Sequence, residues 1–399
     1  MPNLVSFEEC CGCSACASKC PKNAISMIPD KGGFLHPEVN SQLCVECGSC
    51  EKACPGLEPA QNDSAELKTF IVQHTDPVIR YQSTSGGAFT AIASYVIKHG
   101  GVVFGATMNS QFEVFHDFVR TVEDLRKFRN SKYVQSDIRD SYKAAKHFLK
   151  EGLNVCFSGT PCQINGLYKY LGKDYDNLIT VDVVCKSVPS PYIFKKYIDF
   201  KKESEGELSE VVFRDKKRGF LYCTMAHYRT NANRMAGKSI YRRGSESDEW
   251  LRLFLSGKIS RESCFTCHYQ TKSRMADFTL GDIWNTGIKD FDDNKGTTLL
   301  HAWTPKAKRI LSDLSSVLKI QQYSCNDDRA IERKHILKIY PNRQQLFTDA
   351  IEMEPESFFQ KYAPYNIKAR IKNYGRFLLW RLNIQSFVRN IKHSIIHRK

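Results

Sequence analysis

The sequence predicts a protein of mixed α+β and α/β class in three pieces: a small cysteine-rich module, a larger mixed α/β domain, and a C-terminal basic helix. Three observations carry that expectation. One four-cysteine spacing occurs twice within the first 54 residues. From Leu67 onward, strand-like and helix-like stretches alternate. The segment 366–399 contains nine Lys/Arg and neither Asp nor Glu. A chain of 399 residues has room for two or three domains. Boundaries are expected at 1–57, 58–150, 151–340 and 341–399, the middle two being parts of one domain.

The repeated spacing is Cys10-x2-Cys13-x2-Cys16-x3-Cys20-Pro21, then Cys44-x2-Cys47-x2-Cys50-x3-Cys54-Pro55. Three cysteines at period three let a tight loop wrap one iron–sulfur cube, and the Cys-Pro thiolate reaches across to the other cube. The expected sets are Cys10, Cys13, Cys16 and Cys54 on one [4Fe–4S] cluster, with Cys44, Cys47, Cys50 and Cys20 on the second. This is a 2[4Fe–4S] ferredoxin-type module, whose chemistry is one-electron transfer. A disulfide scaffold would call for a secreted chain, and residues 1–30 carry no basic stretch followed by an apolar one. Zinc sites space their ligands differently. Cys11 falls outside the pattern and is expected to be a bystander thiol.

Sixteen cysteines, most in ligand-like spacings, fit a reducing cytoplasm. No apolar run of 18 residues occurs, so no transmembrane segment is expected. The formal charge of +15 is concentrated in the tail. There Ile367, Ile371, Tyr374, Leu378, Leu382, Phe387, Ile391 and Ile395 recur mostly at steps of three and four beside basic positions. Two readings stand: a terminal helix docked on the body, or a basic amphipathic helix meeting an anionic membrane surface or an acidic partner. No nucleic-acid motif accompanies the charge, and no nucleic-acid partner is expected.

After the polar, proline-bearing linker GLEPAQNDSAE, strands are expected at LKTFIVQH, VVFGATM, FEVFHDFV, LNVCFSG and LITVDVVC. Helices are expected at 87–99, 138–151, 161–171 and 190–204, with another near 305–315. The region 208–283 reads as richer in strand.

Three places carry chemistry. Ser85-Gly86-Gly87 opens a helix, where free N–H groups favour phosphate; an ordinary capped start is the plain alternative. Gly159-Thr160-Pro161-Cys162-Gln163 follows a strand. Thr160 suits the N-cap, Pro161 the first helical position, and Gln163 completes a capping box. Cys162 then sits in the first helical turn, where a thiol becomes a better nucleophile or ligand. Cys264-x2-Cys267 supplies two ligands and needs two more. Cys162 and Cys185, both at strand-to-helix junctions, are the best placed. Those four could hold a third [4Fe–4S] cluster, with structural zinc as the competing reading. Cys156, Cys223 and Cys325 are expected to pack as small apolar residues. No catalytic residue is singled out.

The succession of the cluster module, STSGGAFTAIASYVIKHGG, SKYVQSD, FSGTPCQINGL, VDVVCKSVPSP, CFTCHY and ADFTLGDIW resembles the beta subunit of coenzyme F420 hydrogenases and dehydrogenases, out to about residue 320. The resemblance implies an iron–sulfur flavoprotein oxidoreductase, with a flavin-binding domain split over 58–150 and 151–340. It implies FAD against Ser85, Gly86 and Gly87, with Lys132, Tyr133, Gln135, Gly159, Thr160 and Gln163 nearby. It also supports Cys162, Cys185, Cys264 and Cys267 as ligands of a further cluster. Electrons would pass between clusters and FAD to a two-electron partner, coenzyme F420 or a related substrate. The redox partner would be a ferredoxin, a reduced deazaflavin or a partner subunit. Two alternatives stay open: a stand-alone ferredoxin-fed reductase in bacterial surface-polysaccharide or sugar metabolism, and a non-catalytic electron-transfer subunit of a larger complex. Where the family commonly has Cys-His-Gly, this chain has Cys185-Lys186-Ser187. Lys132 or Lys186 is placed to stabilise an anionic reduced flavin, or is an exposed lysine without a role.

Overall fold

The computed structural model describes residues 1–59, 67–229, 239–241, 247–269, 274–324, 337–385 and 388. The N-terminal module comprises α1 (Ala15–Lys19), the antiparallel hairpin β1 (Ile25–Pro29) and β2 (Leu35–Val39), and α2 (Ser49–Lys52). Each short helix lies inside one cysteine run. Each is entered through a left-handed residue, Ser14 for α1 and Gly48 for α2, as a loop folding tightly back on itself requires.

The body follows with β3 (Lys68–His74), α3 (Pro77–Gln82), α4 (Ala88–Lys98), β4 (Val102–Met108), β5 (Val114–Val119) and α5 (Ser141–Lys150). Next come β6 (Val155–Gly159), α6 (Pro161–Leu171), β7 (Leu178–Val183), α7 (Pro191–Glu205), β8 (Leu208–Asp215), β9 (Thr224–Arg229), β10 (Ser239–Tyr241) and α8 (Glu249–Ser256). The chain closes with β11 (Phe278–Ile283), β12 (Thr297–Ala302), α9 (Pro305–Asp313), β13 (Leu318–Gln322), α10 (Arg343–Glu352), α11 (Pro355–Tyr362) and α12 (Ile367–Arg381).

Eight strands form one sheet in the order β13-β3-β12-β11-β7-β6-β4-β5. Its neighbours are parallel at β4/β6, β6/β7 and β7/β11, and antiparallel elsewhere. Strands β3, β4, β6, β7 and β11 therefore run the same way. Their carboxyl ends share one edge, where open α/β sheets bind ligands. The stretches 58–150 and 151–340 contribute interleaved strands to this single sheet. A smaller antiparallel sheet, β10-β9-β8, stands apart from it.

The parallel strands are apolar on both faces, as burial under helices demands. One core packs α4 and α9 with Val72, Cys156, Phe278 and Leu300. A second packs α5 and α6 with Phe104, Phe157 and the module's Cys13 and Ala53. The module is thus continuous with the body's core. A third core joins α7, α8, α10 and α11 around Trp250. The expected strands and the helices near 87–99, 138–151, 161–171, 190–204 and 305–315 are all present, with ends shifted by up to three residues. Two helices at 343–362, within the stretch read only as a basic tail, pack Phe347 and Phe358 into that third core.

Candidate iron–sulfur and carboxyl-edge site

In the module, Cys20, Cys44, Cys47 and Cys50 line one open concavity of about 350 Å³, floored by Ala24 and Ile25. One thiol thus comes from the first cysteine run and three from the second. The complementary thiols also gather: Cys10 and Cys54 both act electrostatically on Cys16, whose thiol is pushed up to about 12, mainly by burial. Cys54 likewise neighbours Cys10. The chemistry of the donor set fits two cubes, since buried thiolates need a positive core opposite them. Among the described residues no three His, Cys, Asp or Glu side chains converge on a single-ion site. A cube asks for no such convergence, because each of its irons takes its own thiolate.

Helix α6 ties this module to the body. Strand β6 delivers Thr160 to the N-cap, Pro161 to the first helical position and Cys162 to the first turn. Gln163 Oε1 accepts from the Thr160 N–H at 3.0 Å, closing the capping box. Thr160 Oγ1 lies 3.2 Å from Cys162 Sγ. One turn on, Gly166 faces the module; a Cβ there would stand 2.9 Å from Cys13 Sγ and from the Tyr142 hydroxyl. At the far end of α6, Lys19 donates to Tyr170 O at 2.6 Å.

Three of the scattered cysteines, Cys162, Cys264 and Cys267, come together beside this first turn. Cys267 neighbours both Cys162 and Cys264. Burial pushes the Cys264 thiol up to about 12, and its sulfur accepts from the Val188 N–H at 3.5 Å. Val188 follows Cys185 by three residues on the loop between β7 and α7. The thiol of Cys11, expected to be a bystander, contacts the thiols of both Cys13 and Cys162 and neighbours Cys264. It stands where the module's cysteines meet the body's.

Arg261 locks that junction, and no sequence pattern pointed to it. Its side chain is buried (1% exposed) and donates to Cys10 O at 2.6 Å, Leu35 O at 2.9 Å and Gln135 Oε1 at 3.1 Å. Gln135 Nε2 donates to Cys11 O at 3.1 Å. Gln135, expected beside FAD, therefore lies at the seam between module and body. The only available signal for Arg261 was its place three residues before Cys264.

The other residues expected near FAD gather mostly along the carboxyl edge. Gly86 leaves no space for a side chain: a Cβ would stand 2.3 Å from Val72 O and 2.6 Å from the Thr298 nitrogen. The Gly86 N–H donates to Thr298 Oγ1 at 2.8 Å, and Ser85 Oγ donates to Thr297 O. These bonds sew the start of α4 onto β12, and Gly86 O accepts from the His74 N–H of β3 at 2.7 Å, with Gly87 as the N-cap. Lys216, just past β8 and 5% exposed, donates to Arg80 O, Ser85 O and Lys295 O at 2.6, 2.8 and 2.9 Å. Gly159 and Thr160 end β6 at the same edge. Gln163 Nε2 donates to Ser136 O at 3.1 Å.

Tyr133 stacks on Phe254 at 4.4 Å, and its hydroxyl accepts from Arg214 at 3.0 Å. Arg214 also pairs with Asp282 at 3.0 Å and lies over the Trp284 ring at 4.7 Å. Trp284, Phe220 and Phe291 line a concavity of about 340 Å³ bounded by Gly296 and Thr297, next to the Ser85 loop. Lys132 and Lys186 are both engaged by backbone carbonyls, Lys132 with Lys127 O and Arg129 O, Lys186 with Phe254 O and Leu255 O at the end of α8. Cys156 is buried in the core as expected. Cys223 is buried too, but its sulfur accepts from Arg214 Nε at 3.0 Å. Cys325 lies outside the described residues.

The family described as the C terminus of the coenzyme F420 hydrogenase/dehydrogenase beta subunit matches residues 152–326. The 4Fe-4S dicluster domain family matches residues 9–56. A coenzyme F420-dependent sulfite reductase of Methanocaldococcus jannaschii is 26% identical over 172 residues, covering 42% of this chain and 26% of that protein. One subunit of the F(420)H(2) dehydrogenase of Methanosarcina mazei is 21% identical over 170 residues, covering 40% of this chain and 48% of that one. The chain thus spans from about a quarter to a half of the length of these relatives. The F420-reducing [NiFe] hydrogenase complex of Methanosarcina barkeri contains a chain that aligns over 77% of this one and 97% of its own length, at 16% identity and a TM-score of 0.44. Residues 9–56 thus match the 4Fe-4S dicluster domain family, and residues 152–326 match the C-terminal domain family of coenzyme F420 hydrogenase/dehydrogenase beta subunits.

Proposed function

We propose that this chain is an iron–sulfur flavoprotein oxidoreductase relaying electrons between its clusters and FAD, with coenzyme F420 or a related two-electron substrate as the exchanging partner. The observation that carries the reading is the junction at α6, where thiols of the module and thiols of the body come into contact beside the carboxyl edge of the sheet. Bound clusters supply one-electron transfer, and a bound flavin supplies exchange between one- and two-electron chemistry.

The chain's own residues would divide the work as follows. Cys10, Cys13, Cys16 and Cys54, and Cys44, Cys47, Cys50 and Cys20, hold the two module clusters. Cys162, Cys185, Cys264 and Cys267 hold a third cluster in the body. Arg261 and Gln135 keep the module seated, so that the spacing between the two cysteine groups stays constant. Ser85, Gly86 and Gly87, braced by Lys216, shape the edge against which FAD lies. Thr160 and Gln163 hold the neighbouring helix start in register. Trp284 and Phe220, stacked on each other at 4.4 Å with Arg214 over both rings, form an aromatic wall of the concavity beside this edge.

Anaerobic purification with iron, sulfide and flavin analysis tests the assignment. Three clusters correspond to about twelve iron per chain and two to about eight. About eight iron together with bound zinc would remove the body cluster. Failure to take up FAD on reconstitution would leave a purely electron-carrying subunit. Reduction of the flavin by reduced deazaflavin, followed optically, tests the F420 connection, and absence of bleaching points instead to a ferredoxin-fed reductase.

A further inference from the structure

The C-terminal helix α12 carries features that the redox reading does not use. At 3.6 residues per turn, its side chains divide into three bands. One band faces the body: Arg376 donates to Leu221 O at 3.1 Å, the Tyr222 hydroxyl contacts Asn373 Oδ1 at 3.5 Å, and Trp380 stacks on Tyr222 at 6.0 Å. The opposite band is a straight apolar stripe of Ile367, Ile371, Tyr374, Leu378 and Leu382 pointing into solvent. Ile367, Ile371 and Leu382 are 74, 67 and 64% exposed, more than almost any other large apolar side chain here. The third band is cationic and flanks the stripe on both sides. By helical angle Lys368 and Lys372 lie along one border, with Arg370 and Arg381 along the other.

We propose that α12 is an interfacial helix that seats the protein on an anionic lipid surface. An apolar stripe bordered on both sides by long cationic side chains is the arrangement such helices share. The aliphatic residues enter the acyl boundary while Lys and Arg extend their charges to the headgroups. Charge complementarity selects lipid: α12 contains no Asp or Glu, and the sequence beyond it adds four more Lys/Arg, again without an acid. Among the described residues nothing buries the stripe, in contrast to the apolar faces of α10 and α11. The attachment is peripheral, since no helix among the described residues is long and apolar enough to cross a membrane. The lipid-facing band is opposite the body-facing band, so the helix can do both at once. This inference stands independently of the cofactor assignment.

Vesicle flotation of the full-length, cluster-loaded protein tests it. Wild type should float with phosphatidylcholine vesicles containing phosphatidylglycerol, bind at least tenfold more weakly to phosphatidylcholine alone, and be weakened by salt. The double variant Ile371→Glu, Leu378→Glu should lose at least tenfold of that binding with iron content and helical signal unchanged. Lys368→Gln with Arg370→Gln should reduce the preference for anionic lipid. Vesicle binding unaffected by the glutamates overturns the proposal. So does a wild type that ignores anionic vesicles, whether its stripe is then found covered by an acidic protein or by a second copy that the double variant releases as monomer.

Discussion

Replacing Arg261 by methionine should loosen the module from the body without emptying the core. Methionine keeps much of the aliphatic volume and removes the guanidinium, so what is lost is chiefly the hydrogen bonds to Cys10 O, Leu35 O and Gln135 Oε1, with a weaker contact to the His36 ring at 3.2 Å. A hydrogen bond from a charged donor contributes roughly 1.5–3 kcal/mol. The bond to Cys10 O is buried and counts near the top of that range; the other two are partly accessible, so water can replace them in part. Allowing for non-additivity among bonds sharing one donor, the loss is about 4 kcal/mol. The guanidinium also lies 5.5 Å from the Phe34 ring, a smaller contribution of the same sign. The effect should appear as local opening of the seam, raising the open population by roughly a thousandfold. Hydrogen exchange at the backbone amides of residues 8–14, measured anaerobically on cluster-loaded protein, reads that population directly. Exchange within tenfold of wild type at those amides would refute the assignment of Arg261 as the lock. Arg261→Lys, which keeps the charge and loses the planar fork, should fall between the two.

Four further outcomes follow from the same geometry. Gly166→Ala puts a methyl group 2.9 Å from Cys13 Sγ; overpacking of this kind costs about 1–3 kcal/mol. Iron content should fall in that variant, and a full complement would show that α6 does not constrain the cluster loop. Gly86→Ala has no space between Val72 O and the Thr298 nitrogen, so it should destabilise the fold by more than about 3 kcal/mol in urea unfolding. Lys216→Met removes a cation from three buried carbonyls and should cost about 3–5 kcal/mol. On the proposed flavin reading it should also weaken uptake of added FAD while leaving iron content intact; equal uptake separates the Ser85 loop from the flavin.

The fourth outcome concerns pH. His116 is held neutral by burial, between Ser136 Oγ at 2.7 Å and Ser158 O at 2.9 Å, with its pKa lowered to about 4. Below about pH 6.5 the unfolded chain takes up a proton that the folded imidazole refuses. Its contribution is therefore full above that pH and is lost as pH falls toward 4, by about 3 kcal/mol in all. His116→Gln should flatten that part of the stability curve of the apoprotein, and an unchanged slope would assign the titration elsewhere.

Much of the architecture was legible because its causes are local. The alternation of apolar runs with amphipathic helices placed β3 to β7 and α4 to α7, since each pattern reports which faces must be covered. Thr160, Pro161 and Gln163 marked the start of α6 to the residue, because capping is satisfied within one turn. Strands β12 and β13 escaped notice, and helices α10 and α11 were expected only as part of a helical basic tail, not as core elements. Their burial is decided by partners far along the chain, and a short apolar run does not say which sheet edge it will meet. The same limit hid Arg261 and Lys216. Both look like ordinary surface cations until folding closes carbonyls around them.

The duplicated cysteine spacing by itself determined that this chain is built to hold a pair of clusters, because ligand spacing on one short loop is a property of local backbone geometry. Charge and apolar periodicity located the basic helix, and the capping residues Thr160, Pro161 and Gln163 located the helix start bearing Cys162. Only the tertiary structure decided that Cys11 stands between the module's thiols and the body's, that Gln135 belongs to the seam, and that the apolar stripe of α12 faces outward. Those are relations between distant segments, the seam alone joining residues 251 apart in the chain. They depend on chain closure and on which surfaces the core leaves free, and neither is written in any single stretch of sequence.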